Sequence, residues 1–191
     1  MNNELQNIRQ DYSSSSLSKA DVLPNPVDQF AAWFEEYKSS AKHDSNAMVL
    51  STVGPNNRPS SRVVLLKGIS KGGFEFYTNY HDIGVNNLVS LVFFWPELER
   101  QVRVEGKAEK MSDAESDAYF KERPRGSQIG AWTSPQSQVV LNRQMLEDRM
   151  AEMEKKFEGE IERPANGGGY RIMPESIKGE KNTWDLKRLA P

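Results

Sequence analysis

The chain has 191 residues, of which 27% are charged and 37% hydrophobic, and its formal net charge at pH 7 is -2. This length favours one domain with a sizeable core, and the balanced charge gives no footprint for nucleic acid or a membrane surface. Cysteine is absent, which excludes disulfides, thiolate catalysis and cysteine-based zinc sites. His43 and His81 have no metal-ligand spacing, and no apolar run suits a membrane span or a signal peptide, so we expect a cytoplasmic protein without a metal site.

The N-terminal part of the chain is predicted to be a flexible arm over residues 1–23, followed by a single domain over residues 24–191. The arm is polar and contains four consecutive serines at Ser13–Ser16. Asn25-Pro26 then offers a helix cap and a first-turn proline. Apolar residues recur behind it at helical spacing, at Val27, Phe30, Phe34 and Tyr37. This stripe predicts a helix packed against the core rather than a cofactor-binding motif.

Five β-rich runs follow, separated by sequences typical of turns. They cover Met48–Val53, Ser60–Ile69, Phe74–Asn79, Val89–Trp95 and Gln101–Met111. Consecutive short strands with tight turns predict an antiparallel meander that closes into a barrel.

The last third of the chain is predicted to contain helices and two more strands. Ser112-Asp-Ala-Glu115 is a capping box, which predicts a helix ending near Arg123. A longer amphipathic helix is predicted around Gln138–Phe157, its apolar side formed by Val139, Leu141, Met145, Leu146, Met150 and Met153. After three glycines at 167–169, strands are predicted at Tyr170–Ile177 and Trp184–Leu189. These elements predict an α+β fold in which helices flank a small antiparallel β-barrel.

One segment groups residues that bind phosphate in many proteins. It offers the phenol of Tyr119, the guanidinium groups of Arg123 and Arg125, and the hydroxyl of Ser127. Tyr119 and Arg123 are four residues apart and share a helix face, and Ser127 can join them where a proline and a glycine bend the chain. Charge-assisted donors of this kind suit a phosphate. An ordinary helix C-terminus, with arginines that offset the dipole, explains the segment equally well.

Two neighbouring strand ends offer further ligands for a phosphorylated aromatic molecule. Arg62 and Lys67 flank an apolar strand, and Tyr77 and Thr78 end the next one. Residues five apart point to opposite faces of a regular strand, so both cations reach one site only through a bulge or between two subunits. A strand with solvated charged ends is the better interpretation of this segment by itself.

Three amide or hydroxyl side chains suit the polar edge of a heterocycle such as a flavin ring. They belong to Gln101 and to the pair Gln136-Ser137. Each is equally consistent with a buried polar residue bonded to backbone. The sequence contains no Ser/His/acid set, HExxH motif or glycine-rich nucleotide loop, so hydrolase and nucleotide-kinase functions lack support.

Taken in order, five segments carry a resemblance that extends over nearly the whole chain. They are Arg62-Val-Val-Leu-Leu-Lys67, Phe76-Tyr-Thr-Asn79, the run from Phe94 to Gly106, the run from Arg123 to Trp132, and terminal Arg188-Leu-Ala-Pro191. In combination they resemble the pyridoxamine 5'-phosphate oxidase family. The resemblance implies a homodimeric split barrel with FMN at the subunit interface. It also implies oxidation of pyridoxamine or pyridoxine 5'-phosphate to pyridoxal 5'-phosphate, with O2 reduced to hydrogen peroxide.

The resemblance further implies roles for individual residues. FMN would be held by Arg62, Val63, Val64, Leu65, Leu66, Lys67, Tyr77, Thr78, Gln101, Gln136 and Ser137. The substrate phosphate would be bound by Lys67, Tyr119, Arg123 and Ser127. Residues of the arm would close over the substrate, namely Arg9, Gln10, Asp11 and Tyr12. A fixed phosphate would orient the reacting carbon toward the flavin.

The sequence departs from the family pattern at three points, and two of them are losses from loops that would line the same site. A Ser-Arg-Lys-type turn that reaches the FMN phosphate is missing after Asn79, and Phe-Trp-Gln-Gly and Arg-Leu-His-Asp-Arg segments are missing after Ile177. Gly167 stands where the family favours Trp. Either the sequence omits flexible loops that the natural protein has, or these are true deletions. The second case predicts a weakened relative that binds pyridoxal 5'-phosphate without turnover. A flavin reductase-like split barrel with another electron partner is a third interpretation.

Overall fold

The computed structural model describes residues 7, 22–80, 83–84, 86–134 and 139–180. Several sequence predictions lie outside these residues, namely the arm residues Arg9 to Tyr12, the pair Gln136-Ser137 and the strand at Trp184–Leu189. The flexible arm and its boundary with a single domain therefore stay predictions.

The described residues contain four α-helices and seven strands. The helices are α1 (Pro26–Ser40), α2 (Asp113–Glu122), α3 (Arg125–Thr133) and α4 (Arg143–Lys156). The strands are β1 (Ala47–Val53), β2 (Pro59–Leu65), β3 (Gly68–Ser70), β4 (Gly73–Asn79), β5 (Leu88–Trp95), β6 (Arg100–Lys110) and β7 (Gly167–Glu180). None of these helices is long and apolar enough to cross a membrane.

All strand pairs are antiparallel, and the sheet has the order β2-β1-β5-β6-β7-β4-β3. The predicted meander is therefore wrong, because β1 pairs with β5 and β4 pairs with β7. The run predicted as one strand divides after Leu65. The Leu66 amide donates to the Asn46 carbonyl beside β1, and the Lys67 amide donates to the Glu75 carbonyl in β4, both at 2.8 Å. The chain thus crosses between the two ends of the sheet at Lys67, which curls the sheet into a barrel.

The core lies inside this curled sheet and is covered by α1. Alternate side chains of β1, β5 and β6 point inward and are at most 2% exposed, namely Met48, Leu50, Leu91, Phe93, Val102 and Val104. Phe30 of α1 is 1% exposed and meets Phe93 with ring centroids 4.7 Å apart. The Asn25 side chain accepts a hydrogen bond from the Val27 amide. The predicted capped helix is confirmed.

The last two helices differ from the prediction. The segment after Pro124, predicted as a glycine turn, forms α3, which buries Ile129. The long helix begins only at Arg143, capped by Asn142. Val139 and Leu141 precede it and are 97% and 89% exposed, so the prediction that they belong to the apolar side of this helix was wrong.

Candidate functional site

A cavity of about 650 Å³ lies between β2, β4, α2 and α3. This volume falls within the range of small-molecule and cofactor sites. Nine of the predicted site residues line it, namely Val63, Val64, Leu65, Lys67, Tyr77, Thr78, Tyr119, Arg123 and Ser127. Segments that are far apart in sequence therefore converge on one site.

The helix α2 and its C-cap residue face β4, β7 and the cavity. Glu115 and Tyr119 are four residues apart and so lie along one side of the helix, and Arg123 follows as its C-cap residue. The start of α2 is fixed by the predicted capping box, in which both reciprocal bonds between Ser112 and Glu115 are present. The Tyr119 ring stacks on the Tyr77 ring, with centroids 3.5 Å apart and planes at 11°.

The stacked position of Tyr77 depends on a glycine in the neighbouring strand. Gly169 of β7 lies opposite Tyr77 in β4. A Cβ atom at position 169 would lie 2.9 Å from Tyr77 Cε1 and 2.5 Å from Met111 Sδ. Gly167, Gly168 and Gly169 are the first three residues of β7. Gly169, which has no side chain, therefore leaves the space that the Tyr77 ring needs at the wall of the cavity.

Both tyrosines keep their protons at neutral pH. Burial raises the pKa of Tyr77 to about 12, and the nearby carboxylates of Glu75 and Glu115 contribute to the rise. Burial also raises the pKa of Tyr119, and the positive charge of Arg123 opposes part of that rise. The phenols are therefore hydrogen-bond donors, as a phosphate ligand requires.

Lys67 and Arg123 supply positive charge to the cavity wall. Neither forms an ion pair with any residue that the structure describes. The Arg123 guanidinium carbon lies 5.6 Å from the centroid of the Phe120 ring. Two cations that have no carboxylate partner in the described part of the chain, beside two neutral phenols, form a site suited to an anion.

Two other arginines near the site have different roles. Arg125, which the sequence grouped with the phosphate donors, is absent from the cavity wall and donates to the carbonyls of Phe157 and Gly159. Arg163 does line the cavity but is bonded to Asp113 and Asp117 of α2. Sequence reasoning missed Arg163, and no local motif marks it, because its partners lie 46 and 50 residues away.

Three predicted FMN ligands lie outside the wall of this cavity. Arg62 donates a hydrogen bond to the Thr52 hydroxyl on β1. Leu66 is 5% exposed and belongs to the core. Gln101 lies on β6 opposite Phe94 of β5. A single chain therefore does not bring these three to the cavity.

The outer face of the sheet carries an exposed apolar patch, which we call the outer patch and define as Val49, Val63, Val92 and Phe94. Val63 is 67% exposed and Phe94 64% exposed. Val49 lies opposite both Val63 and Val92 in the sheet register. Because Val63 also lines the cavity, the outer patch and the cavity adjoin.

Comparison with known proteins agrees with these features. A family model described as pyridoxamine 5'-phosphate oxidase matches residues 34–157. A protein of Rubrobacter xylanophilus named pyridoxine/pyridoxamine 5'-phosphate oxidase is 50% identical over 181 residues, covering 92% of this chain and 83% of the relative. A protein of the same name from a Nostoc species is 40% identical over 214 residues, covering all of both chains. This alignment spans 214 positions, which is more than the 191 residues of this chain. The alignment therefore contains gaps on the side of this chain.

Solved structures share the fold. PhzG from Burkholderia lata superposes with a TM-score of 0.80 at 21% identity, covering 93% of this chain and 98% of that one. A pyridoxamine 5'-phosphate oxidase-related, FMN binding protein from Nostoc punctiforme gives a TM-score of 0.61 at 15% identity, covering 93% and 100%. The predicted α+β split-barrel fold is confirmed. With its family-model match and its full-length relatives, the chain belongs to the pyridoxamine 5'-phosphate oxidase family.

Proposed function

We propose that this chain is an FMN-dependent oxidase of pyridoxamine 5'-phosphate or pyridoxine 5'-phosphate, which yields pyridoxal 5'-phosphate and hydrogen peroxide. The observation that carries the proposal is the convergence of Lys67, Tyr119, Arg123 and Ser127 on one cavity. Relatives named for this activity match nearly the whole chain. The cytoplasmic location stays a prediction from the sequence.

The substrate phosphate is proposed to bind between α2 and the end of β2. Lys67 supplies a compact charge, while the fork of the Arg123 guanidinium matches two phosphate oxygens. The Tyr119 phenol and the Ser127 hydroxyl donate further hydrogen bonds. A phosphate held by four groups fixes the orientation of the vitamin ring, which is the main contribution these side chains make to the rate.

The described residues fit FMN on the β2 side of the cavity. Since β2 is an edge strand of the sheet that the described residues form, its outer edge leaves alternate backbone amides and carbonyls from Val63 to Leu65 for the polar edge of a planar ring. Thr78 adds a hydroxyl to the same wall. When bound, FMN would accept a hydride from the substrate and pass the electrons to oxygen.

A homodimer is proposed to complete the site. An exposed apolar surface on a sheet face is typical of a subunit interface, and the outer patch adjoins the cavity at Val63. In a two-fold dimer the same face of the partner would lie across the cavity opening. Gln101 neighbours Phe94 on this face, so it is positioned to reach a partner's cofactor although it lies outside the cavity of its own chain.

An absorbance spectrum after incubation with FMN and desalting tests the proposal, followed by addition of pyridoxine 5'-phosphate under air. A retained flavin band and release of peroxide would support the oxidase. A colourless protein that still binds pyridoxal 5'-phosphate would favour the alternative, a weakened relative without turnover. The specific observation behind that alternative is that the alignment with the Nostoc protein spans 214 positions, more than the 191 residues of this chain, as missing segments would require.

A further inference from the structure

Arg163 occupies an unusual position for a cation in an anion site. It precedes β7 and lines the cavity, yet its side chain is only 9% exposed. Its Nε donates to Asp117 Oδ1 at 2.7 Å and one terminal nitrogen donates to Asp113 Oδ1 at 2.8 Å. The other terminal nitrogen donates to the Gly167 carbonyl. All three nitrogens of the guanidinium therefore have partners.

These bonds join α2 to the first residue of β7. Asp113 and Asp117 are one turn apart, so a single guanidinium holds one side of the helix at two points. On another side of α2, Ser116 accepts a hydrogen bond from the Gly169 amide at 3.1 Å. The tethers all lie in the first half of α2, while Tyr119 and Arg123 stand in its second half and at its end. The tilt of the helix therefore sets where these two groups meet the ligand.

Charge argues against direct phosphate binding by Arg163. Two carboxylates and one guanidinium sum to a net negative group, which does not attract an anion. Burial by itself lowers the pKa of Arg163, but the hydrogen bonds from its nitrogens to Asp117 and Asp113, together with the negative charge of Asp117, outweigh burial and raise the pKa. The guanidinium therefore stays charged and paired at all physiological pH values.

We infer that Arg163 is a positioning residue, which sets phosphate affinity by holding α2 in place and does not itself contact the phosphate. The inference rests on the proposed function, because it assumes that the ligand of Tyr119 and Arg123 is a phosphorylated B6 compound. A misplacement of about 1 Å in a binding group can cost up to about a hundredfold in rate, so loss of this tether has measurable consequences.

Two variants distinguish positioning from direct contact. The two roles predict opposite changes in the dissociation constant for pyridoxal 5'-phosphate of one of these variants, D113N/D117N. Arg163→Ala removes the tether from the loop side, and the double variant D113N/D117N weakens it from the helix side while keeping the arginine. If Arg163 positions α2, both variants raise the dissociation constant for pyridoxal 5'-phosphate, by about tenfold. If Arg163 binds phosphate, the double variant frees the cation and lowers that constant.

Binding is measured by equilibrium dialysis with pyridoxal 5'-phosphate, so the readout does not depend on turnover. The steady-state parameters of the FMN-loaded protein should show a raised KM with kcat within about twofold of the wild type. Arg143→Ala is the matched control, since Arg143 forms an exposed pair with Glu147 on α4 and is not among the residues that line the cavity. Its dissociation constant for pyridoxal 5'-phosphate, its KM and its kcat should equal those of the wild type.

Tighter binding by D113N/D117N, or unchanged binding by Arg163→Ala, would overturn the inference. Combining all three substitutions should add little to Arg163→Ala alone, because each change breaks the same tether. A wild-type chain that binds no pyridoxal 5'-phosphate would instead count against the proposed function. The two failures are therefore separable.

Discussion

Replacement of Arg123 by alanine isolates the phosphate contact from the flavin contacts. Arg123 lines the cavity at the end of α2, whereas the flavin contacts proposed within the same cavity lie on β2 and β4. The substitution should raise KM for pyridoxine 5'-phosphate and leave bound FMN unchanged. The other proposed phosphate ligands, Lys67, Tyr119 and Ser127, would still hold the phosphate, so binding should weaken without being abolished.

The size of the effect follows from the kind of bond that is lost. A hydrogen bond to a charged group contributes about 1.5 to 3 kcal/mol. Since 1.4 kcal/mol corresponds to a factor of ten, the loss predicts a decrease in kcat/KM of roughly 10- to 100-fold. Arg123 is half-buried, and solvent screening places the expected value toward the lower end of that range.

The assay compares two substrates by peroxide release under air. For pyridoxine 5'-phosphate the variant should lose the predicted factor, and for pyridoxine, which has no phosphate, the ratio of wild type to variant should stay within about twofold. Arg125→Ala is the control, because Arg125 bonds to backbone carbonyls and is absent from the cavity wall. It should lower the melting temperature and leave KM unchanged. Equal losses on both substrates, or loss of bound FMN, would refute the assignment of Arg123.

Three further predictions concern assembly, ionisation and packing. Phe94→Glu should yield a monomer with weakened FMN binding, because the substitution places a charge in the outer patch. The control Val139→Glu, at an exposed position outside the outer patch, should leave the mass measured by light scattering unchanged. The pKa of Tyr77 is about 12 in the folded protein and about 10 in the unfolded chain. The stability that the protonated Tyr77 contributes is therefore present below pH 10 and is lost between pH 10 and 12. Y77F should therefore show a smaller loss of unfolding free energy in urea over that interval, and an equal loss would contradict the assignment. Gly169→Ala should destabilise the fold by about 1 to 3 kcal/mol, since its methyl group would clash with Met111 Sδ and with Tyr77; unchanged urea stability would show that the strand shifts freely.

Much of the local structure was predictable from the sequence because its signals involve near neighbours. The capping box of Ser112 and Glu115 marked the start of α2, and Asn25 marked the start of α1. Alternation of apolar residues gave the strands. The spacing of Tyr119 and Arg123 predicted that both reach one site, and in the structure both line the cavity, with Arg123 as the C-cap of α2.

The helix α3 was missed because local preference opposes it. Gly126 and Gly130 are poor helix formers, and the sequence around them is typical of a turn. The helix forms because distant residues stabilise it. Ile129 is 2% exposed in a small cluster with Phe120 and Ile161, and the Trp132 indole donates to the Glu162 carbonyl at 2.8 Å.

The sequence by itself determined which side chains are available at this protein's candidate site: the cations of Lys67 and Arg123, the phenol of Tyr119 and the hydroxyl of Ser127. It also determined most of the helices and strands that carry them. Only the tertiary structure decided which of these residues meet. It placed Arg123 in the cavity and Arg125 outside it, and it paired Arg163 with Asp117 across 46 residues. It also set the strand order that brings β4 beside β7. Such pairings depend on how the whole chain closes and packs, whereas caps and alternation depend only on the residues next to them.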